Sequence, residues 1–140
     1  MRPPWTTLGE RRDTQEEQPT PMQAFDLPDL EAARHQAERA YFEFLRVPSM
    51  SAGLYVLPAG GVDPQHPHAE DEVYVVMGGR ARFQVGTDDR AVGPGTVLFV
   101  PAGAEHRFHV IAEDLSLLVV FAPAEVEPTT APLPAATASS

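Results

Sequence analysis

The chain has no cysteine among its 140 residues. Disulfides, thiolate zinc sites and iron–sulfur clusters are thereby excluded, and any metal centre must be built from His, Asp and Glu. Long apolar runs are missing too. No stretch approaches the roughly 20 apolar residues that a membrane-spanning helix needs, and the opening MRPPWTTLG lacks the apolar centre of a secretory signal. The expected compartment is the cytoplasm, with no membrane partner. Positive charge is scarce: 10 Lys and Arg stand against 20 Asp and Glu, for a formal charge of −10. Binding to the phosphate backbone depends on clustered Lys and Arg, so a nucleic-acid partner is not expected.

What remains suits one domain. At 140 residues and 43% hydrophobic content the chain can bury a single good core. Residues 1–24 are rich in Pro, Thr, Gln and charge without apolar periodicity, which predicts a flexible N-terminal arm that Trp5 could anchor. Residues 123–140 (PAEVEPTTAPLPAATASS) carry four prolines and five alanines with two large apolar side chains, too few to offset the ordering entropy. A disordered Pro/Ala-rich tail is predicted there, leaving 25–122 as the folded domain.

Within that domain, LEAARHQAERA (30–40) is made of helix formers and follows Pro28-Asp29, so a short helix capped by Asp29 is predicted. His35 on it reads as an ordinary surface residue. From Tyr41 on, β-rich runs are separated by Gly and Pro: YFEFLRV, GLYVLPAGG, EVYVVMGG, RARFQVG, TVLFVPAG, HRFHVI and LSLLVVFA. Seven or eight close-set strands predict an all-β antiparallel barrel or sandwich. Runs 97–100 and 117–121 are apolar throughout, as in strands covered on both faces. No internal repeat appears, which favours a single barrel.

Chemistry concentrates in two segments, GGVDPQHPHAEDEVYVVMGG and GTVLFVPAGAEH. On an extended strand His66 and His68 point the same way with Cα atoms roughly 6.6 Å apart, so both can lean toward one ion. Glu72 would lie roughly 13 Å beyond His68 on a straight strand, so it can join only if residues 69–71 turn the chain back. In the second segment His106 follows the Pro101-Ala102-Gly103 turn and begins a strand on which Phe108 and Val110 share its side and His109 points out. Three imidazoles and a carboxylate suit one divalent Fe, Mn, Ni, Cu or Zn and leave room for water, substrate or dioxygen. A lone His-x-His on a strand is more often an ordinary pair, and Glu70 and Asp71 read as a solvated turn. The joint occurrence with turn glycines and proline lifts these four residues above that background.

These segments resemble the two motifs of the cupin superfamily. Gly60, His66, His68, Glu72 and Gly79 fit the first, and Gly95, Pro101, Gly103 and His106 fit the second, while Val110 stands where the motif has Asn. The resemblance covers roughly residues 41–122. It implies a small antiparallel jelly-roll β-barrel with a metal bound by His66, His68, Glu72 and His106.

Fold alone does not select a reaction. The favoured expectation is a small-molecule dioxygenase resembling single-domain quercetin-dioxygenase-like cupins, with the metal as Lewis acid and template. In this reading Glu72 can also serve as a base, and Tyr74, two residues on and facing the same side, donates a hydrogen bond near the ion. Phe83, Val85, Phe99 and Phe108 would keep water from the pocket, although barrel interiors are filled with such residues for packing alone. The alternatives are a non-redox metal-dependent isomerase or lyase, and a non-enzymatic small-molecule binder. A homodimer is expected, through the 117–121 or 41–47 strand.

Overall fold

The computed structural model describes residues 21–64 and 67–126. One helix, α1 (Leu27–Ala37), precedes six strands: β1 (Tyr41–Val47), β2 (Met50–Leu57), β3 (Asp71–Val85), β4 (Asp88–Val92), β5 (Val97–Val100) and β6 (His106–Ala122). The helix starts three residues earlier than its composition suggested. Asp26 rather than Asp29 is the N-cap residue, Pro28 falls in the first turn, and Glu38 ends the helix in a left-handed conformation.

All strands pair antiparallel, in the order β1-β2-β6-β3-β4, with β5 on the free side of the first half of β3. The predicted strand count is too high because two pairs of runs are single strands. EVYVVMGG and RARFQV form β3, and HRFHVI and LSLLVVFA form β6. The hydrogen-bonded path is also open, not a closed ring as a barrel implied.

The interior is nevertheless enclosed, and register shows how. Glu72 pairs with Phe121 at one end of β3, and Val85 pairs with His106 at the other. A straight strand would hold those ends roughly 43 Å apart (85 − 72 = 13 steps of about 3.3 Å). Yet His106 Nε2 lies 3.1 Å from a Glu72 oxygen. The β3–β6 ribbon must therefore curl back on itself.

Bulges supply the curl and correct the facing. Glu72, Tyr74 and Val76 are buried in the first half of β3, then Ala81 and Phe83 in the second, so the inward set changes parity between them. The register shifts of the ladder fall there, at Val76–Gly78, Gly78–Arg80 and Arg80–Arg82. Strand β6 does the same: His106 and Phe108 face in, and so do Ile111, Leu115, Leu117 and Phe121. Val110 at the switch has φ of 48° and is exposed, so it does not share the inward side of His106 as its position suggested. Gly79 makes the matching bend possible in β3, where φ is 91° and a Cβ would stand 2.2 Å from the Asp114 carbonyl oxygen.

Two further expectations are corrected. Strand β5 is open on its outer face, with Val97 and Phe99 exposed. Phe99 pairs with Val73, which points away from the inward Glu72 and Tyr74, so it cannot line the interior. Residues 123–126, the start of the expected disordered tail, pack against the sheet instead, with Glu125 buried. The rest of that tail and Trp5 of the arm lie outside the described residues.

Candidate metal centre

Three elements bring the site together. Glu72 and Tyr74 come from the start of β3, His106 from the start of β6, and His68 from the loop entering β3. One ligand atom from each of His68, Glu72 and His106 lies within 4.8 Å of the others. Residues 69–71 make the return that the sequence required, and the two motifs clasp each other there. Gly103 N–H donates to the His68 carbonyl at 2.7 Å, and Ala102 N–H donates to Asp71 Oδ1 at 2.9 Å. His66 lies outside the described residues.

Protonation logic sharpens the arrangement around His106. Its Nδ1 lies 2.8 Å from the Ala104 carbonyl, which can only accept, so Nδ1 carries the proton and a neutral ring presents a lone pair at Nε2. That lone pair accepts from the Tyr74 hydroxyl at 3.2 Å. Burial, then the Glu72 carboxylate, holds the Tyr74 hydroxyl well above its usual range, so it stays a donor.

Glu72 is the anomaly. Its side chain is about 1% exposed, and Oε1 stands 3.1 Å from His106 Nε2. Neither carboxylate oxygen is in a well-aligned hydrogen bond among the described residues, although the His106 ring and the Tyr74 hydroxyl both interact with the carboxylate. With a neutral ring, two lone-pair atoms face each other in a buried space. Only a proton or a metal cation between them makes this favourable. The proton solution is visible in the direction of the His106 pKa. Burial would lower it, but Glu72 and the Ala104 carbonyl together raise it. The donor set of two imidazoles and a buried carboxylate fits a divalent transition metal equally well.

His68 is held differently. Its Nδ1 lies 3.2 Å from Glu125 Oε2, and this contact, ahead of an opposing burial effect, raises its pKa. The Phe121 ring packs 4.9 Å from it. Tyr74, Phe83 and Phe108 form a mutual cluster, with ring centroids 4.5 to 5.6 Å apart, that walls the His106 side. Phe83 and Phe108 are thus in place as expected, Val85 is partly buried, and Phe99 is on the opposite face. A cavity of about 460 Å³, lined in part by His106, Gln84, Arg107 and Asp63, reaches the edge of the site. Such a volume suits a small organic molecule.

Three acids near the site were not assigned these places from sequence. Glu70 is buried and accepts the Val126 N–H at 2.9 Å, so it is no solvated turn residue. Asp63 accepts the Tyr55 hydroxyl and the Phe108 N–H, each at 2.9 Å, which staples the loop before His66 to β2 and β6. Its place before Pro64 in a turn-rich stretch was the available signal. Glu125 had none, because its partners are distant in sequence. His109 behaves as expected, on the outside and 2.9 Å from Asp89.

Comparisons agree with this architecture. The cupin domain family matches residues 53–121. The uncharacterized protein SCO3923 of Streptomyces coelicolor is 54% identical over 104 residues, covering 74% of this chain and 99% of its own. The crystal structure of TT1209 from Thermus thermophilus superposes with a TM-score of 0.62 at 32% identity, over 74% of this chain and 99% of that one. Dimethylsulfoniopropionate lyase DddQ of Ruegeria pomeroyi is 32% identical over 74 residues, 52% of this chain but 37% of the lyase. Its structure gives a TM-score of 0.53 at 30% identity, covering 59% of this chain and 42% of that one. The doubly bulged β3–β6 ribbon, the His-Glu-His group at its curled end and these matches have one common account: this chain belongs to the cupin family.

Proposed function

We propose that His66, His68, Glu72 and His106 bind one divalent transition metal, and that the protein is a metal-dependent enzyme acting on a small organic molecule. The observation that carries this reading is Glu72. A fully buried carboxylate with neither oxygen in a well-aligned hydrogen bond among the described residues, set against the lone pair of an oriented imidazole, is costly without a cation. The metal when bound supplies Lewis acidity toward a substrate oxygen. The chain's own groups do the rest. Tyr74 keeps its proton and donates beside His106 Nε2, the Phe83–Phe108 wall excludes water, and Glu72 is the group able to accept a proton.

Between reaction classes, the non-redox lyase or isomerase reading is now favoured over the dioxygenase expected from sequence. It is supported by the likeness to a lyase at 32% identity, although that likeness spans little more than a third of the lyase. The discriminating experiment is oxygen consumption by iron-loaded protein across phenolic and keto-acid substrates, alongside elimination assays with zinc- or manganese-loaded protein. Oxygen uptake would restore the dioxygenase; product without oxygen uptake supports the lyase.

The metal itself is tested separately. Elemental analysis should find about one equivalent per chain, and a Glu72→Ala, His106→Ala double variant should lose it. Unchanged metal content in that variant would remove the site.

A further inference from the structure

Glu125 is the buried acid whose role the metal site leaves open. It is about 2% exposed, and its surroundings hold it from four directions. Its N–H donates to Ser51 Oγ at 2.9 Å, and its carbonyl accepts from the Arg46 guanidinium. On either side, Ala124 N–H donates to the Pro48 carbonyl at 3.3 Å and Val126 N–H donates to Glu70 Oε2 at 2.9 Å. Three consecutive residues are thus tied to β1, the β1–β2 turn, β2 and the loop before β3. A carboxylate on so constrained a backbone is aimed. It points one oxygen at His68 Nδ1, 3.2 Å away, and the other makes no hydrogen bond among the described residues.

Burying a carboxylate is costly, and here the directed return is the contact with one imidazole. A neutral imidazole carries a single N–H. An acceptor fixed at Nδ1 keeps that proton in place and leaves the lone pair at Nε2. The Ala104 carbonyl does the same for His106. We infer that Glu125 is a positioning residue for the metal centre, locking His68 in the Nδ1–H tautomer and one ring orientation so that Nε2 is the ligating nitrogen. The inference rests on the proposed metal role of His68. An anionic partner also raises the basicity of the ring it holds, and loss of such partners typically lowers metal affinity 10–100-fold.

The test uses the full chain, with cobalt(II) as the probe and two readouts. In metal-free protein labelled with ¹⁵N at histidine, long-range proton–nitrogen correlations at a pH where the rings are neutral should report His68 as the Nδ1–H tautomer. Glu125→Met, which keeps length and burial but offers no strong acceptor, should lose that preference and bind cobalt roughly 10–100-fold more weakly. Glu125→Gln, whose amide oxygen can still accept from Nδ1–H, should recover the tautomer and most of the affinity. Thermal melting monitors folding of each variant. The inference is overturned if wild-type His68 carries its proton on Nε2, a result that needs no variant, or if folded Glu125→Met keeps both tautomer and affinity. Wild-type protein that shows the Nδ1–H tautomer but takes up no cobalt overturns the metal role and with it this inference, leaving Glu125 only as a partner of His68.

Discussion

Val110 occupies the position where the cupin motif has Asn, and its φ of 48° gives a physical reason for Asn there. Asn enters the left-handed region with little strain, whereas a β-branched residue is poorly suited to it. The side chain is 66% exposed, so the position bends the strand and contributes no polar partner to the site. Val110→Asn should therefore stabilise the fold by about 1 kcal/mol, read as a rise of a few degrees in melting temperature, with metal affinity unchanged. Val110→Gly should gain less, because glycine also loses more entropy on folding. A destabilised Asn variant would refute the account. The paired histidines carry a pH dependence of opposite sign in the two forms of the protein. His68 is raised by Glu125, and His106 is raised, against burial, by Glu72 and the Ala104 carbonyl. A raised folded value contributes stability that is full below the unfolded value near 6.5 and is lost as pH rises through the folded value. Metal-free protein should thus become less stable to denaturant from pH 6 toward pH 8, roughly the span around that value. Metal affinity should rise over the same span as the imidazoles lose their protons.

At the scale of elements, the two long strands work only because each is interrupted. Gly79 is the tightest point of β3, with positive φ and the Asp114 backbone where a side chain would begin. Gly79→Ala should cost about 3 kcal/mol in chemical denaturation, the upper end for one substitution, and should weaken metal binding by opening the 3.1 Å approach of Glu72 to His106. A wild-type denaturation midpoint in that variant would show that the bend does not need glycine. These interruptions also explain what was legible in the sequence. Ligand chemistry restricts residue type and the turns fix local spacing, so His68, Glu72 and His106 stood out as candidates, and the structure brings their side chains together. Bulges at Gly78–Arg80 and Val110 look like strand ends in a one-dimensional pattern, so two long strands were read as four. Strand β4 was missed because DDRAV is mostly exposed and charged, and it exists only as the hairpin partner of the last turn-proximal residues of β3. Glu125 was unreadable because Ser51 and Arg46, which place it, stand more than seventy residues away in a different compositional setting.

At the scale of the molecule, the outer face of the curled sheet bears on assembly. Register places Phe42, Leu54, Leu118, Val75 and Val97 in one cross-strand row, and Ala52, Val120, Val73 and Phe99 in the next. Helix α1 contacts the β1–β2 end of these rows. At the other end Val97 and Phe99 are more than 60% exposed on a four-residue edge strand. The homodimer expected from sequence is therefore proposed to form through β5, and not through 117–121, which lies in a central strand with its outward Leu118 and Val120 only partly exposed, or through 41–47, which α1 contacts. A two-fold contact of this kind buries the same patch from each copy. The formal charge of −10 on each chain opposes it through mutual repulsion, which salt screens, so dimerisation should strengthen as ionic strength rises. Sedimentation equilibrium should show a dimer that tightens from low to moderate salt, and Phe99→Asp should give a monomer that keeps its metal, because Phe99 is on the face opposite the site. A wild-type monomer at all concentrations and salts would reject the dimer. A Phe99→Asp protein that still dimerises would move the contact to another face.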